Sequence, residues 1–243
     1  VARPLTHLQR ALSKAGAGSR TEAAGWIEAG RVRVNGREER DPLRWVDLER
    51  DRLSLDGRAV NAPSSRIYLV LYKPKGVVTT ARDERGRRTV LDLLPAGTPY
   101  VFPVGRLDRD TTGLLILTND SAFSERIQNP DFKVPKTYQV KASSHLADEQ
   151  LERLRTGVEL RDGPTRPAEV TRLREAGGRT VFEITITEGR NRQVRRMVEA
   201  IGSRVLKLVR VAIGPVRIGE LPIGRCRALE PRELRGLRNR ARP

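Results

Sequence analysis

The loop Gly105-Arg106-Leu107-Asp108-Arg109-Asp110-Thr111-Thr112-Gly113 runs directly into the apolar stretch Leu114-Leu115-Ile116-Leu117. A polar, glycine-bounded loop held against a rigid strand is where a catalytic side chain can be fixed in place. Asp108 and Asp110 are both candidates, although the same spacing suits carboxylates that only make Asx turns. A second segment, Glu188-Gly189-Arg190-Asn191-Arg192-Gln193-Val194-Arg195-Arg196-Met197, carries four Arg at the entrance to a helix. Such a cluster suits phosphate, and free backbone N–H groups at a helix start add to it. Arg192, Arg195 and Arg196 stand at i, i+3 and i+4, on one side of that helix, which reads equally as a solvated basic face. In Lys136-Thr137-Tyr138, the tyrosine can stack on a base or sit in a core. Arg10, Lys14, Arg20, Arg31, Arg33 and Arg37 spread over the N-terminal region, as an RNA clamp or as part of a dimerisation module.

The elements that must position these residues are readable in outline. Leu5, Leu8, Leu12 and Ala15 recur at helical spacing, and Ser19 with Glu22 forms a capping box for a second helix that Gly30 stops. Val32-Arg33-Val34-Asn35-Gly36 and Leu53-Ser54-Leu55-Asp56-Gly57 each read as a strand ending in a tight turn. Ala62-Pro63-Ser64-Ser65 reads as a linker, so the expected domains are 1–63 and 64–243. Beyond it, strands are expected at Ile67–Tyr72, closed by Lys73-Pro74-Lys75-Gly76, and at Leu114–Thr118, Lys136–Ala142 and Val205–Ile213. A hairpin of 170–173 with 180–187 turns at Gly177-Gly178. Helices are expected after Asp120 or Ser121, over Asn191–Ile201, and near Pro231–Arg238. Strands in irregular order with few long helices between them give an α+β class rather than a doubly wound sheet.

Composition narrows the partners. The net charge is +17, carried mostly beyond residue 64, where 35 basic residues face 21 acidic ones. A chain this basic collects polyanions. One cysteine, Cys226, excludes an internal disulfide and a multi-cysteine zinc site, and two distant histidines, His7 and His145, argue against a histidine metal centre. No apolar run approaches a membrane span, and Val1-Ala2-Arg3-Pro4-Leu5 carries no secretory core. The expectation is a cytoplasmic, metal-free, reduced, monomeric protein.

The loop around Asp108, Lys136-Thr137-Tyr138, the 188–197 segment and Lys73-Pro74-Lys75-Gly76 together resemble the pseudouridine synthases of the RsuA/RluB/RluE/RluF family, in family order. Leu8 to Gly36 resembles an S4 RNA-binding domain. The resemblance implies a small S4 domain followed by a catalytic domain on a mixed, mainly antiparallel sheet. It makes Asp108 the catalytic aspartate, Arg195 the basic residue that pairs with it and Tyr138 the ring that stacks on the target uracil. Arg106 then fills the gap left by a flipped base. Leu114 and Val194 help to exclude water. Arg190, Arg192, Arg196 and Lys136 contact RNA, as do Arg10, Lys14, Arg20, Arg31 and Arg33 in the S4 domain. The reaction turns uridine into pseudouridine with no redox step and no net hydrolysis, so no metal or organic cofactor is implied. Asp108 must be ionised whether it attacks C1′, attacks C6 or takes the C2′ proton. The wording Asn191-Arg192-Gln193-Val194-Arg195-Arg196 most resembles the 23S rRNA enzymes of RluB type. A 16S rRNA enzyme, a non-catalytic rRNA-assembly factor and a metal-dependent nucleic-acid hydrolase are the alternatives. Pro135, where relatives commonly carry an acidic residue, bears on local strand pairing. The stretch from Arg225 to Arg242, with 7 Arg against 2 Glu, either adds phosphate contacts or is disordered.

Overall fold

The computed structural model describes residues 5–48, 50–61, 65–80, 83 and 85–240. The expected linker residues Ala62 to Ser64, and with them the expected domain boundary, lie outside the described residues, as do Val1 to Pro4 and Arg242. The chain divides into two compact units, Val1–Ile67 with Pro95–Phe102 and Thr118–Ser121, and Tyr68–Leu94 with Pro103–Leu117 and Ala122–Pro243.

In the first unit, β1 (Leu5–His7) leads into α1 (Leu8–Lys14), followed by α2 (Arg20–Glu28), β2 (Val32–Val34), β3 (Arg37–Glu39), β4 (Trp45–Asp47), β5 (Leu53–Leu55) and β6 (Arg58–Val60). Leu5 was expected in the first helix; it lies instead in β1, half exposed, paired with Asp47 of β4. The Ser19 capping box forms as expected, with Glu22 N–H on the serine hydroxyl and the Glu22 carboxylate on the Ser19 N–H. Asn35-Gly36 and Asp56-Gly57 all have positive φ, so each pair closes a two-residue hairpin, β2–β3 and β5–β6. Leu8, Leu12, Ala23, Ile27, Val32 and Val34 pack into one core.

The second unit is built on β7 (Tyr68–Lys73), β8 (Phe102–Pro103), β9 (Thr112–Thr118), α3 (Ser121–Gln128), β10 (Lys136–Ala142), α4 (Asp148–Thr156), β11 (Glu159–Leu160) and β12 (Gly163–Pro164). It continues through β13 (Glu169–Glu175), β14 (Thr180–Ile186), α5 (Gln193–Ala200), β15 (Val205–Ile213), β16 (Val216–Arg217), β17 (Cys226–Ala228) and α6 (Pro231–Arg240). The strands order as β13-β14-β10-β15-β9-β7-β17; β13 with β14, β14 with β10, β10 with β15 and β7 with β17 pair antiparallel, and β15 runs parallel to β9. The class is α+β, with a mixed, mainly antiparallel sheet. Val140, Phe182 and Ile184 of the sheet pack with Leu151 and Leu154 of α4 and Met197 of α5. Leu114, Ile116 and Val70 form a second core with Ile127 of α3 and Leu237 of α6. The Arg-rich C-terminal stretch is therefore folded through Arg240. Leu237 is buried, Arg227 makes a two-pronged ion pair with Glu233, and Arg238 lies over the Tyr68 ring at 5.5 Å. Among the described residues no helix is long and apolar enough to cross a membrane.

Candidate active site

A cavity of about 400 Å³ opens on one face of the second unit's sheet. Its floor is made by Lys136 and Tyr138 of β10, Ile186 of β14, and Leu208 and Arg210 of β15. Alternation puts Lys136 and Tyr138 on the same face, and strand register sets Tyr138 opposite Arg210. The 105–108 loop and the 189–194 segment form the walls.

Asp108 lines this cavity and Asp110 does not. The Asp108 carboxylate is one-third exposed. Its loop is pinned from below by Lys73, a fully buried lysine at the end of β7. The Lys73 ammonium donates to the carbonyls of Thr111 at 2.9 Å and of Asp108 and Pro74 at 3.1 Å. Thr79 adds a hydroxyl donated to the Leu107 carbonyl at 2.8 Å. Burial pulls the Lys73 pKa down to about 8, partly opposed by the charges of Asp110 and Asp108.

The segment entering α5 is fixed by a buried carboxylate. Glu188 accepts from the Arg166 N–H at 3.0 Å and from the Gln193 amide, and pairs with Arg190 at 3.3 Å. Arg192, the N-cap of α5, has a left-handed backbone, φ 49°. α5 thus starts at Gln193, later than the expected Asn191. The Arg192 guanidinium sits 3.4 Å from both the Asp108 and the Asp110 carboxylates. Arg195, inside the first turn and nearly buried, instead reaches Asp110 at 3.1 Å and the Thr111 hydroxyl at 3.3 Å. The expected Asp108–Arg195 pair is therefore corrected: Arg192 faces Asp108, and Arg195 braces the next turn of the same loop.

Other expected contacts also divide. Arg106 and Lys136 line the cavity. Arg190 lines it too, but its guanidinium donates to the carbonyls of Asp162, Gly163 and Pro164. Arg196 pairs with Asp162 at 2.7 Å. These two hold the β11–β12 hairpin, so Arg192, Arg195 and Arg196 do not present one free basic face. Val194 lines the cavity, whereas Leu114 lies in the core beneath and does not. In the S4 unit, Lys14 ends α1, Arg20 opens α2, and Arg33 is exposed on β2 between buried Val32 and Val34. Arg10 is half-buried. Arg31 is engaged internally, paired with Asp56 and set over the Trp26 ring at 5.9 Å.

Residues 67–200 match the family described as RNA pseudouridylate synthase. The chain belongs to that family. Its S4 unit matches the S4 domain over residues 7–42. The chain is 37% identical over 236 residues to the ribosomal large subunit pseudouridine synthase B of Bacillus subtilis, covering 96% of each. It is 40% identical to an uncharacterized RNA pseudouridine synthase of Aquifex aeolicus, covering 93% of this chain and 91% of that one. A crystal structure of a pseudouridylate synthase superposes with a TM-score of 0.70 at 29% identity, covering 96% of this chain and 99% of that one. Members of the family are isomerases acting on RNA, and this synthase keeps the order of an S4 domain followed by the catalytic domain.

Lys73 and Arg210 went unassigned in the sequence, yet both left a signal. Lys73 ends the apolar run of β7, and Arg210 interrupts the apolar stretch Leu208-Val209-Arg210-Val211-Ala212-Ile213 of β15. A charge in a buried row is either paired or placed for use.

Proposed function

We propose that this synthase isomerises a uridine of 23S rRNA to pseudouridine, with Asp108 as the acting carboxylate and the target base stacked on Tyr138. The observation that carries the reading is that a partly exposed Asp108 carboxylate and the Tyr138 ring line one cavity. The base must leave its stack to enter, which costs a few kcal/mol. Phosphate contacts from the basic surface, with Arg106 at the rim, offset that cost. Once inside, the N1–C1′ bond breaks, the uracil turns, and C5 joins C1′. The C5 proton is lost to solvent and N1 gains one, so the product is an isomer. Arg192 faces the Asp108 carboxylate at 3.4 Å, and Arg195 with Lys73 holds its loop. The large-subunit target follows the function named for the Bacillus subtilis relative. The working compartment is the cytoplasm, where a monomer meets rRNA or an assembly intermediate. Mapping pseudouridine in the rRNA of a strain lacking this gene is expected to show one position lost from 23S rRNA and restored by the wild-type gene. A lost position in 16S rRNA, or none in either, contradicts the assignment.

A further inference from the structure

The cavity lining carries two electrically different groups. On the wall, Asp108 is faced by Arg192 at 3.4 Å. On the floor, Lys136 and Arg210 have no carboxylate partner among the described residues. Arg210 is only 4% exposed. Its Nε donates to the Leu114 carbonyl at 2.7 Å, while its buried Nη2 has no hydrogen-bond partner. An unpaired donor on a buried guanidinium is costly, and so is a second cation beside it. Other buried guanidinium nitrogens lack partners, on Arg10, Arg195 and Arg196, but none of those residues lines the cavity. Burial and then the charge of Arg210 bring the Lys136 pKa down to about 8, the sign of two cations crowded together. Both flank Tyr138, Arg210 opposite it across the strands and Lys136 two residues before it on the same face.

We propose that Lys136 and Arg210 form a subsite for the carbonyl oxygens of the target uracil and stabilise the negative charge that collects on the ring as the N1–C1′ bond breaks. The inference rests on the reading that this cavity takes a uridine. When the bond breaks, its electron pair stays with the uracil, as an anion spread over N1, O2 and O4, and C1′ is left electron-deficient beside Asp108. When C5 bonds to C1′, the ring supplies the pair for the new bond, C5 releases its proton to solvent, and N1 takes one up. Donors aimed at a charge that exists only during the reaction speed the chemical step more than they tighten binding. Asp108 serves the sugar and the cation pair serves the base.

The test is single-turnover conversion of an unmodified 23S rRNA transcript at saturating enzyme, followed by nucleoside mass spectrometry, with Asp108→Asn as the inactive control. Arg210→Met is expected to slow conversion about a hundredfold while RNA affinity stays within about threefold. On a transcript carrying 5-fluorouridine, read as loss of the N1–C1′ bond, the penalty is expected to shrink to about tenfold, because fluorine itself stabilises the departing anion. Arg210→Lys can keep the bond to the Leu114 carbonyl and is expected to fall between wild type and Arg210→Met at an unchanged melting temperature. If Arg210→Met does not fold, Lys136→Met is judged by the same two transcripts. An equal penalty on both transcripts, or weaker RNA affinity at an unchanged saturated rate, overturns the inference; the second result marks a phosphate site. A wild-type chain inactive on both transcripts overturns the uridine reading and this inference with it.

Discussion

Arg192 and Arg195 are three residues apart and do different things. Arg192 is 44% exposed and faces Asp108, whereas Arg195 is 9% exposed and is tied to Asp110 and Thr111. An exposed guanidinium can reach phosphate; a buried one acts on the loop it braces. Arg195→Ala is expected to cut the single-turnover rate about a hundredfold with RNA affinity within about threefold, and Arg192→Ala to weaken affinity about tenfold as well as the rate. Filter binding beside single-turnover assays checks the split, and equal losses of affinity would show that both merely hold phosphate. Lys73 and Lys136 add a pH dependence. Each is held down to about 8, so each is charged below that pH and neutral above it. If the charges serve the reaction, kcat/KM falls as pH rises through about 8. Lys136→Arg is expected to make that fall shallower, leaving the part due to Lys73; an unchanged profile would show that Lys136 does not act as a cation.

At the scale of elements, the site depends on β15 lying close against β9. Gly113 pairs with Arg210 there, and a Cβ at Gly113, φ +115°, would stand 2.3 Å from the Arg210 carbonyl oxygen. Gly113→Ala must push the strands apart and is expected to cost at least about 2 kcal/mol of stability by urea unfolding. An alanine variant of wild-type stability would mean that the close pairing is dispensable. Most of these elements were legible: β10 and β15 match Lys136–Ala142 and Val205–Ile213, because alternation over seven residues in the first and a largely apolar nine-residue run in the second outweigh local ambiguity. α4 was not foreseen. Its apolar signal is only Leu151 and Leu154, and its N-terminus is closed by the Gln150 side chain accepting from the Ala147 N–H, with no Ser or Asp cap to flag it. The two-residue strands β8, β11, β12 and β16 are too short to carry a period. The Asp108–Arg195 pairing was misread for a reason of the same kind. Which arginine meets which carboxylate depends on the left-handed backbone of Arg192, and arginine, unlike glycine, asparagine or aspartate, does not announce that conformation by residue type.

Across the whole molecule, the proposed mechanism places binding and chemistry on different residues. The charge of +17 sits mostly beyond residue 64, and the S4 unit adds Lys14, Arg20 and Arg33. Affinity for RNA built from many such contacts falls steeply with salt, by about a thousandfold between 50 and 200 mM for six or more phosphates. One carboxylate among 47 basic residues contributes little to that slope, but in the proposed mechanism the isomerisation turns on it. The decisive measurement is tritium release from 23S rRNA labelled at uracil C5, comparing wild type with Asp108→Asn, alongside the salt dependence of RNA binding by both. The variant is expected to bind with the wild-type slope and to release no tritium. Release at a near-normal rate from the asparagine variant would contradict the account.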